Sequence, residues 1–580
     1  MSRVKVQPEV KKIKVLDQFA LIKNRQLLNQ KDERLKIEVT KNTYLEKTPL
    51  KFFAEYINKN ILSSVITNTT EDVLGRFYGE FIRYSGGDGQ TLGVVLTPKH
   101  ITELFSELID LKPSDKIFDP CCGTGGFLIA GMHKMLSEAS EDQRDTIKKD
   151  QIHGIEIRED MFAIATTNMI LRGDGKSNLI NDDFLRRSST ELRTNEYTVG
   201  FINPPYSQAK GKDTAHLSEI SFIKHLLDSL KEGGRCVAIV PQSTMVGKTK
   251  EDKLIKKRIL EQHTLEGVIT LNKNTFYGVG TNPCIAIFTA HKPHSDKKYC
   301  KFINYEDDGF VVSKHIGLVE TERAKEKKAH LINCWLHDAP AESKFMVKTT
   351  IEPGDEWLHS FYYFNDEIPN RIAFERTISD YLTFEFNMIM IGREYIVDRR
   401  DGLIELQDID NLNDKRWQEF IFQEIFSIDS TSSSIDKNKL IMKKGNFPYV
   451  TRTDKNNGID FFVCEQESRY KKDSQNVITI GLDTQTVFYQ PYEFYTGQNI
   501  QILKSNKLNF WNAHFLIPLI KKQMEKFSWG SNGATLTRLR RSKILLPLNA
   551  VNEPDFDYME RYIKKIEFEK LTQYLNRKKE

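Results

Sequence analysis

KIFDPCCGTGGFLIA, Lys116–Ala130, changes character twice within one short stretch. A brief apolar run ends on Asp119 and Pro120, a glycine-rich turn follows, and an apolar segment of helical length begins. This reads as a buried strand, a tight turn and a helix. Gly123, Gly125 and Gly126 permit both the turn and a close approach of backbone to a ligand. The pattern is neither the G-x-G-x-x-G that opens a pyrophosphate-cradling helix nor the G-K-[ST] of a phosphate loop.

On either side, from about 91 to 290, short apolar runs alternate with longer helix-like stretches. KIFDP, IHGIEI, VGFINPP, CVAIVP and PCIAIFTA read as buried strands. GGFLIAGMHKMLSEA, REDMFAIATTNMILRG and SEISFIKHLLDSLKEGG read as helices, the last two ending at Gly173 and at Gly233-Gly234. Such alternation predicts a parallel sheet covered by helices on both faces, an α/β, Rossmann-like domain.

The strand ends carry acids in sequence. Asp119 closes the first strand, where it can pair with an ammonium group. Glu156 closes the second, where a carboxylate can grip both hydroxyls of a ribose. In LINDDFL, Asp183 or Asp182 can hold the exocyclic amine of an adenine, with Phe184 against its ring. An ammonium, a ribose and an adenine together describe S-adenosylmethionine. Glu156 lies further from the glycines than the roughly 20 residues of the dinucleotide fingerprint, and the charged insert SEASEDQRDTIKKDQ accounts for the difference as a longer helix or loop.

FINPPYSQ, Phe201–Gln208, ends another strand in a stiff turn. Pro204 and Pro205 lack backbone donors and hold their predecessors out of the helical region, so Asn203 and Tyr206 point in set directions.

These residues together resemble the amino-group DNA methyltransferases. FDPCCGTGGF is similar to their motif I, NPPY to motif IV, and VVLTPKHITELFSELI (Val94–Ile109) to motif X. The order X, I, IV followed by a recognition region is that of the gamma class, which methylates adenine N6. LNKNTFYGVGTNPCIAIF (Leu271–Phe288) is similar to the motif VIII region of type I modification subunits. WQEFIFQEIFSI, GNFPYVTRTDKNNGI and TLTRLRRSKILLPL look like one target-recognition domain of a type I specificity subunit, so the whole resembles type IIG and IIB fusions.

The resemblance implies a set of roles. Cofactor binding falls to Leu96, Thr97, Pro98, Asp119, Cys121, Gly123, Thr124, Gly125, Gly126, Glu156, Ile157, Asp183, Phe184 and Asn203. Asn203, Pro204, Pro205 and Tyr206 form the catalytic motif, the Asn203 side-chain carbonyl and the Pro204 backbone carbonyl accepting hydrogen bonds from the two N6 N–H groups of a flipped adenine. Tyr206 is the ring for stacking that base, with Phe276 or Tyr277 against its other face. Arg452, Lys455, Asn456, Arg538, Arg540 and Arg541 are candidates for DNA contact, mostly at phosphates.

Five parts are expected: a helical domain at 1–90, the methyltransferase at 91–345, a helical spacer at 346–410, the recognition domain at 411–548 and a helix at 549–580. A net charge of only +4 over 580 residues means that any DNA surface comes from local clustering. Seven cysteines without a C-x-x-C pair support neither a zinc site nor a disulfide framework, and no metal is expected. With no apolar run long enough to span a membrane, the expected setting is the cytoplasm. Double-stranded DNA is the expected partner. One recognition half leaves open a homodimer on a split target, or a separate nuclease or specificity subunit. The rival readings are a protein that also cuts DNA, a DNA binder with an inactive methyltransferase fold, and an RNA or protein-glutamine methyltransferase. Residues 1–90 show no convincing nuclease motif, and both Asn203 and the glycines are intact.

Overall fold

Five strands lie side by side and parallel: β1 (Ile117–Asp119), β2 (Ile152–Glu156), β3 (Asn178–Asn181), β4 (Val199–Ile202) and β5 (Arg235–Pro241), mostly buried except β3 at the edge, where Ile180 and Asn181 are exposed. They come from a computed structural model that describes residues 96–172, 178–209, 212–247, 249–277, 280–313, 317–397, 410–527 and 533–577, with Glu55 and Lys59. The helical domain expected at 1–90 and the helix end expected at Gly173 lie outside the described residues.

The sheet continues through β6 (Thr264–Leu271), β7 (Pro283–Thr289), β8 (Cys300–Tyr305) and, beyond a hairpin of β9 (Phe310–Ser313) and β10 (Gly317–Glu320), β11 (Met346–Thr349). Its order is β11-β8-β6-β7-β5-β4-β1-β2-β3. The expectation of a parallel sheet fails at one internal strand. β7 (PCIAIFT) is antiparallel to both β5 and β6. Among the described residues no helix separates β6 from β7, and a parallel partner needs a crossover to return it to the starting edge. β11 pairs antiparallel with β8, so the sheet runs past the boundary expected at 345.

Side chains alternate between the two faces. On β5, Val237 and Ile239 join Phe105, Leu128 and Met169 on one face, whereas Cys236, Ala238 and Val240 join Ile223, Leu226 and Leu227 on the other. The helix expected to end at Gly233-Gly234 stops earlier, at Ser229, and Gly233 turns the chain with a φ of 74°. The charged insert is a helix of its own, Glu141–Asp150, with Glu141 and Asp142 in its first turn and Lys148 and Lys149 in its last.

The C-terminal part has a second core. Phe374, Ile378 and Tyr381 of the Arg371–Met390 helix enter it together with Ile478, Ile502, Phe515, Tyr558 and Ile563. This helix, in the stretch expected as a spacer, meets the C-terminal Phe556–Arg577 helix, the rings of Phe374 and Tyr562 having centroids 5.4 Å apart and Arg371 pairing with Glu569. Both also pack on the Phe510–Met524 helix, so they are built into the recognition domain rather than standing apart from it.

Candidate active site

In an open α/β sheet a crevice forms outside the carboxyl ends of the strands, where the strand order reverses. Here β1 sits between β2 and β4, and the chain leaves to one side before returning on the other. Asp119 ends β1, Glu156 ends β2, Asp182 and Asp183 follow β3, and Asn203 follows β4. The residues expected to bind a cofactor therefore converge on one edge.

The glycine turn is held from both sides. Gly123 and Gly125 have φ values of 54° and 88°, which a Cβ would strain. The Cys122 amide donates to the Ile155 carbonyl at 3.0 Å. Buried Asn168 donates its side-chain amide to the Thr124 carbonyl at 2.9 Å. Asn168 was missed by sequence reasoning; its only signal is an amide within the apolar run of its helix.

Glu156 is fixed by two backbone amides. Gly123 donates to one carboxylate oxygen at 2.8 Å and Arg158 to the other at 2.9 Å. Each oxygen keeps a further lone pair for a ligand hydroxyl. Ile157, next in sequence, is 63% exposed and offers an apolar surface beside it.

Asp119 differs. It is fully buried, and one oxygen accepts from the Cys121 amide at 3.1 Å. Among the described residues its Oδ2 has no hydrogen-bond partner. Burial, with the Glu156 charge adding to it, pushes this carboxyl up to about 8. A buried acceptor with this deficit is suited to a cation.

After β3, Asp182 accepts from the Asp183 amide at 2.8 Å and pairs with Arg187 at 2.7 Å. Asp183 accepts from Leu185 at 3.1 Å and lies 3.2 Å from Arg186. Phe184, expected against an adenine ring, is 3% exposed and is held in the core by Phe118, Phe222 and His225.

Leu96 and Thr97 lie just ahead of the Lys99–Leu108 helix, which Pro98 caps, the Ile101 and Thr102 amides donating to its carbonyl. Asn203 donates its side-chain amide to the Thr97 hydroxyl at 3.0 Å. This contact orients the Asn203 amide. Pro204 is buried, Pro205 is half-buried, and the Tyr206 hydroxyl donates to the Ile239 carbonyl at 3.4 Å.

The expected stacking partner is placed otherwise. Phe276 is 3% exposed and meets Tyr206 edge to face, with centroids 6.1 Å apart and planes at 75°. That arrangement leaves no slot between parallel faces of these two rings. The aromatic that this loop presents is Tyr277, 46% exposed. Asn272 holds the loop, donating to Asp308 at 2.9 Å while accepting from the Asn274 amide at 3.0 Å.

The arginines expected at DNA are largely engaged within the chain. Arg538 is 2% exposed and bonds Glu356 at 2.5 Å. Arg541 pairs with Asp355 and with Glu352. Arg540 is exposed and donates to the Ile428 carbonyl at 2.9 Å. Glu352, Asp355 and Glu356 lie just beyond β11, so Arg538 and Arg541 join the recognition domain to the sheet domain. Arg452 pairs with Asp483. Lys455 and Asn456 are exposed, but Asn456 and Asn457 form a left-handed turn, and buried Asn457 donates to the Tyr489 carbonyl at 2.7 Å. Arg538→Ala is expected to strand the Glu356 carboxylate and cost about 3–5 kcal/mol of stability. A denaturation midpoint measures this; a residue that touched only DNA would shift stability by less than about 0.5 kcal/mol.

Residues 69–356 match the family model described as N-6 DNA Methylase, and residues 414–576 the one described as Type I restriction modification DNA specificity domain. The chain is 51% identical over 392 residues to the Type II restriction enzyme and methyltransferase RM.BcgI of Heyndrickxia coagulans, covering 67% of this chain and 60% of that protein. It is 32% identical over 196 residues to the Type II restriction enzyme BgcI specificity subunit S.BcgI of the same organism, covering 32% of this chain and 54% of that protein. The chain thus spans little more than half the length of either relative. Among solved structures, the type I restriction enzyme EcoKI M protein is similar at 18% identity, over 41% of this chain and 53% of that one, with a TM-score of 0.35.

Proposed function

We propose that this chain, whose residues 69–356 match the N-6 DNA methylase family model and residues 414–576 the type I specificity domain model, methylates adenine N6 in double-stranded DNA at a specific sequence, within a restriction–modification system. S-adenosylmethionine, when bound, supplies an electrophilic methyl group. One observation carries the reading above all others. A buried carboxyl with an unpartnered oxygen, Asp119, and an oriented amide, Asn203, end adjacent parallel strands.

The residues present fit that cofactor. Asp119 takes the ammonium, Glu156 the ribose hydroxyls, and Asp182 or Asp183 with Ile157 the adenine. The N6 amine of the substrate is planar because its lone pair is delocalised into the ring. Two acceptors aimed at its N–H bonds, the Asn203 and Pro204 carbonyls, favour the tetrahedral geometry and the positive charge that develop on attack. These are acceptors set in advance where charge appears, so no strong base is required first. The adenine must leave the duplex to reach them, and Tyr206 and Tyr277 are the rings that face it.

Transfer from tritiated cofactor to unmodified phage DNA, RNA and protein, measured side by side, tests the reading. Label in DNA alone is expected; label in protein or RNA but not in DNA overturns it. A second reading, that the chain also takes part in cleavage, draws on the identity with a relative named as both restriction enzyme and methyltransferase. Cleavage of unmodified DNA on addition of magnesium tests that separately.

DNA grip falls to basic residues that the fold leaves outward. Lys439, Lys443 and Lys444 are exposed on the approach to the Phe447–Val450 strand. Replacing all three with alanine is expected to weaken binding to every sequence alike and to reduce the slope of log affinity against log salt by about 2–3.

A further inference from the structure

The turn that follows Tyr206 adopts a conformation that its residue does not favour. Ser207 has a φ of 58°, in the left-handed region where a Cβ meets the backbone. Strain of this kind at a functional turn persists only where the surroundings enforce it. The enforcing contact comes from another element. The Ser207 amide donates to a carboxylate oxygen of Glu219 at 2.7 Å, a short charge-assisted bond. Glu219 opens the Glu219–Ser229 helix, which is anchored on the sheet by buried Ile220, Ile223 and Leu226. The carboxylate is therefore carried on a rigid support.

We propose that Glu219 is a positioning residue for methyl transfer. By holding Ser207 in the left-handed turn, it sets the exit of the chain from Asn203-Pro204-Pro205-Tyr206, and with it the directions of the two carbonyls and of the Tyr206 ring. Glu219 touches no reacting atom. The simpler role for an acid at this place is to favour the helix N-terminus electrostatically, and that role makes no use of Ser207. The inference rests on the reading of this motif as the transfer site.

A double-mutant series on the full chain separates the two roles. Glu219→Ala is expected to lower kcat by about 100-fold, the scale of a small misplacement at a reacting centre, with cofactor affinity within about twofold. Glu219→Gln keeps a neutral acceptor and is expected to lose between about threefold and tenfold. Ser207→Gly removes the Cβ that makes the turn unfavourable; alone it is expected to match wild type, and combined with Glu219→Ala it is expected to restore kcat to within about fivefold. Rescue by glycine is the decisive result, because a helix-terminus effect would not respond to it. Wild-type kcat in Glu219→Ala overturns the inference, and so does a loss that Ser207→Gly fails to relieve. Should Glu219→Ala not fold, the same rescue is read on Glu219→Gln, where a loss that glycine leaves unrelieved, or no loss at all, overturns it equally. If wild type transfers no methyl to DNA, the reading of the site fails instead, so the two failures are distinguishable.

Discussion

Asn203→Ala is expected to reduce methyl transfer by at least about 1,000-fold, at the upper end for removing one preorganised polar group from a reacting centre. The side chain has two ends with different tasks. Its amide nitrogen donates to the Thr97 hydroxyl at 3.0 Å, and under the proposed function its oxygen accepts from the substrate amine. Alanine removes that acceptor and leaves the Thr97 hydroxyl without this donor, while Asp119 and Glu156 keep their places on β1 and β2. Cofactor affinity is therefore expected to change far less than transfer. Asn203→Asp keeps an acceptor oxygen and is expected to retain more activity than alanine. Tritium transfer to DNA and calorimetric titration of the cofactor, on the same preparations, measure the two effects. Transfer by Asn203→Ala at the wild-type rate would show that the site is misassigned.

Asp119→Asn is expected to weaken cofactor binding by about 100-fold, the scale of one lost charged hydrogen bond. It is also expected to make the ligand-free protein more stable in alkaline solution. The direction follows from linkage. Burial raises the Asp119 carboxyl from 3.8 to about 8 in the folded chain. Between those values the folded state holds a proton that the unfolded state has released, so this group lowers folded stability as pH rises through that window. Asparagine has no proton to lose and escapes the penalty. An ammonium ligand reverses the preference, favouring the carboxylate and expelling the proton at neutral pH. Calorimetry in two buffers of different ionisation enthalpy is expected to show proton release for wild type and less for Asp119→Asn. Melting of the ligand-free proteins above pH 8 is expected to place the variant higher. Wild-type affinity in Asp119→Asn would remove Asp119 from the cofactor site.

Much of this site was legible in the chain. A strand, a glycine turn and a helix are local events, decided by residues a few positions apart, and FDPCCGTGGF contains all of them. Pro204 and Pro205 stop β4 for reasons internal to their own rings. The acids of successive strands could be placed in order because parallel strands deliver their carboxyl ends to one edge. Phe276 and Tyr277 could not be told apart, since one turn of loop sends adjacent side chains to opposite sides and only the packing beneath decides which is buried. Arg538 and Arg541 read as DNA contacts because an arginine in a polar stretch carries no record of Glu356 or Asp355, more than 180 positions away.

The sequence by itself determined the glycine turn, the stiff Asn-Pro-Pro-Tyr exit and the acids that end the first strands, because each depends on backbone preferences of neighbouring residues. Only the tertiary structure decided that β7 runs backwards between β5 and β6, that Thr97 orients Asn203, that Glu219 holds Ser207, and that burial raises the Asp119 carboxyl. Each of these depends on what a group meets across the fold. Hydrogen-bond partners and the loss of water around a charge are set by contacts between distant segments, and no local pattern encodes them.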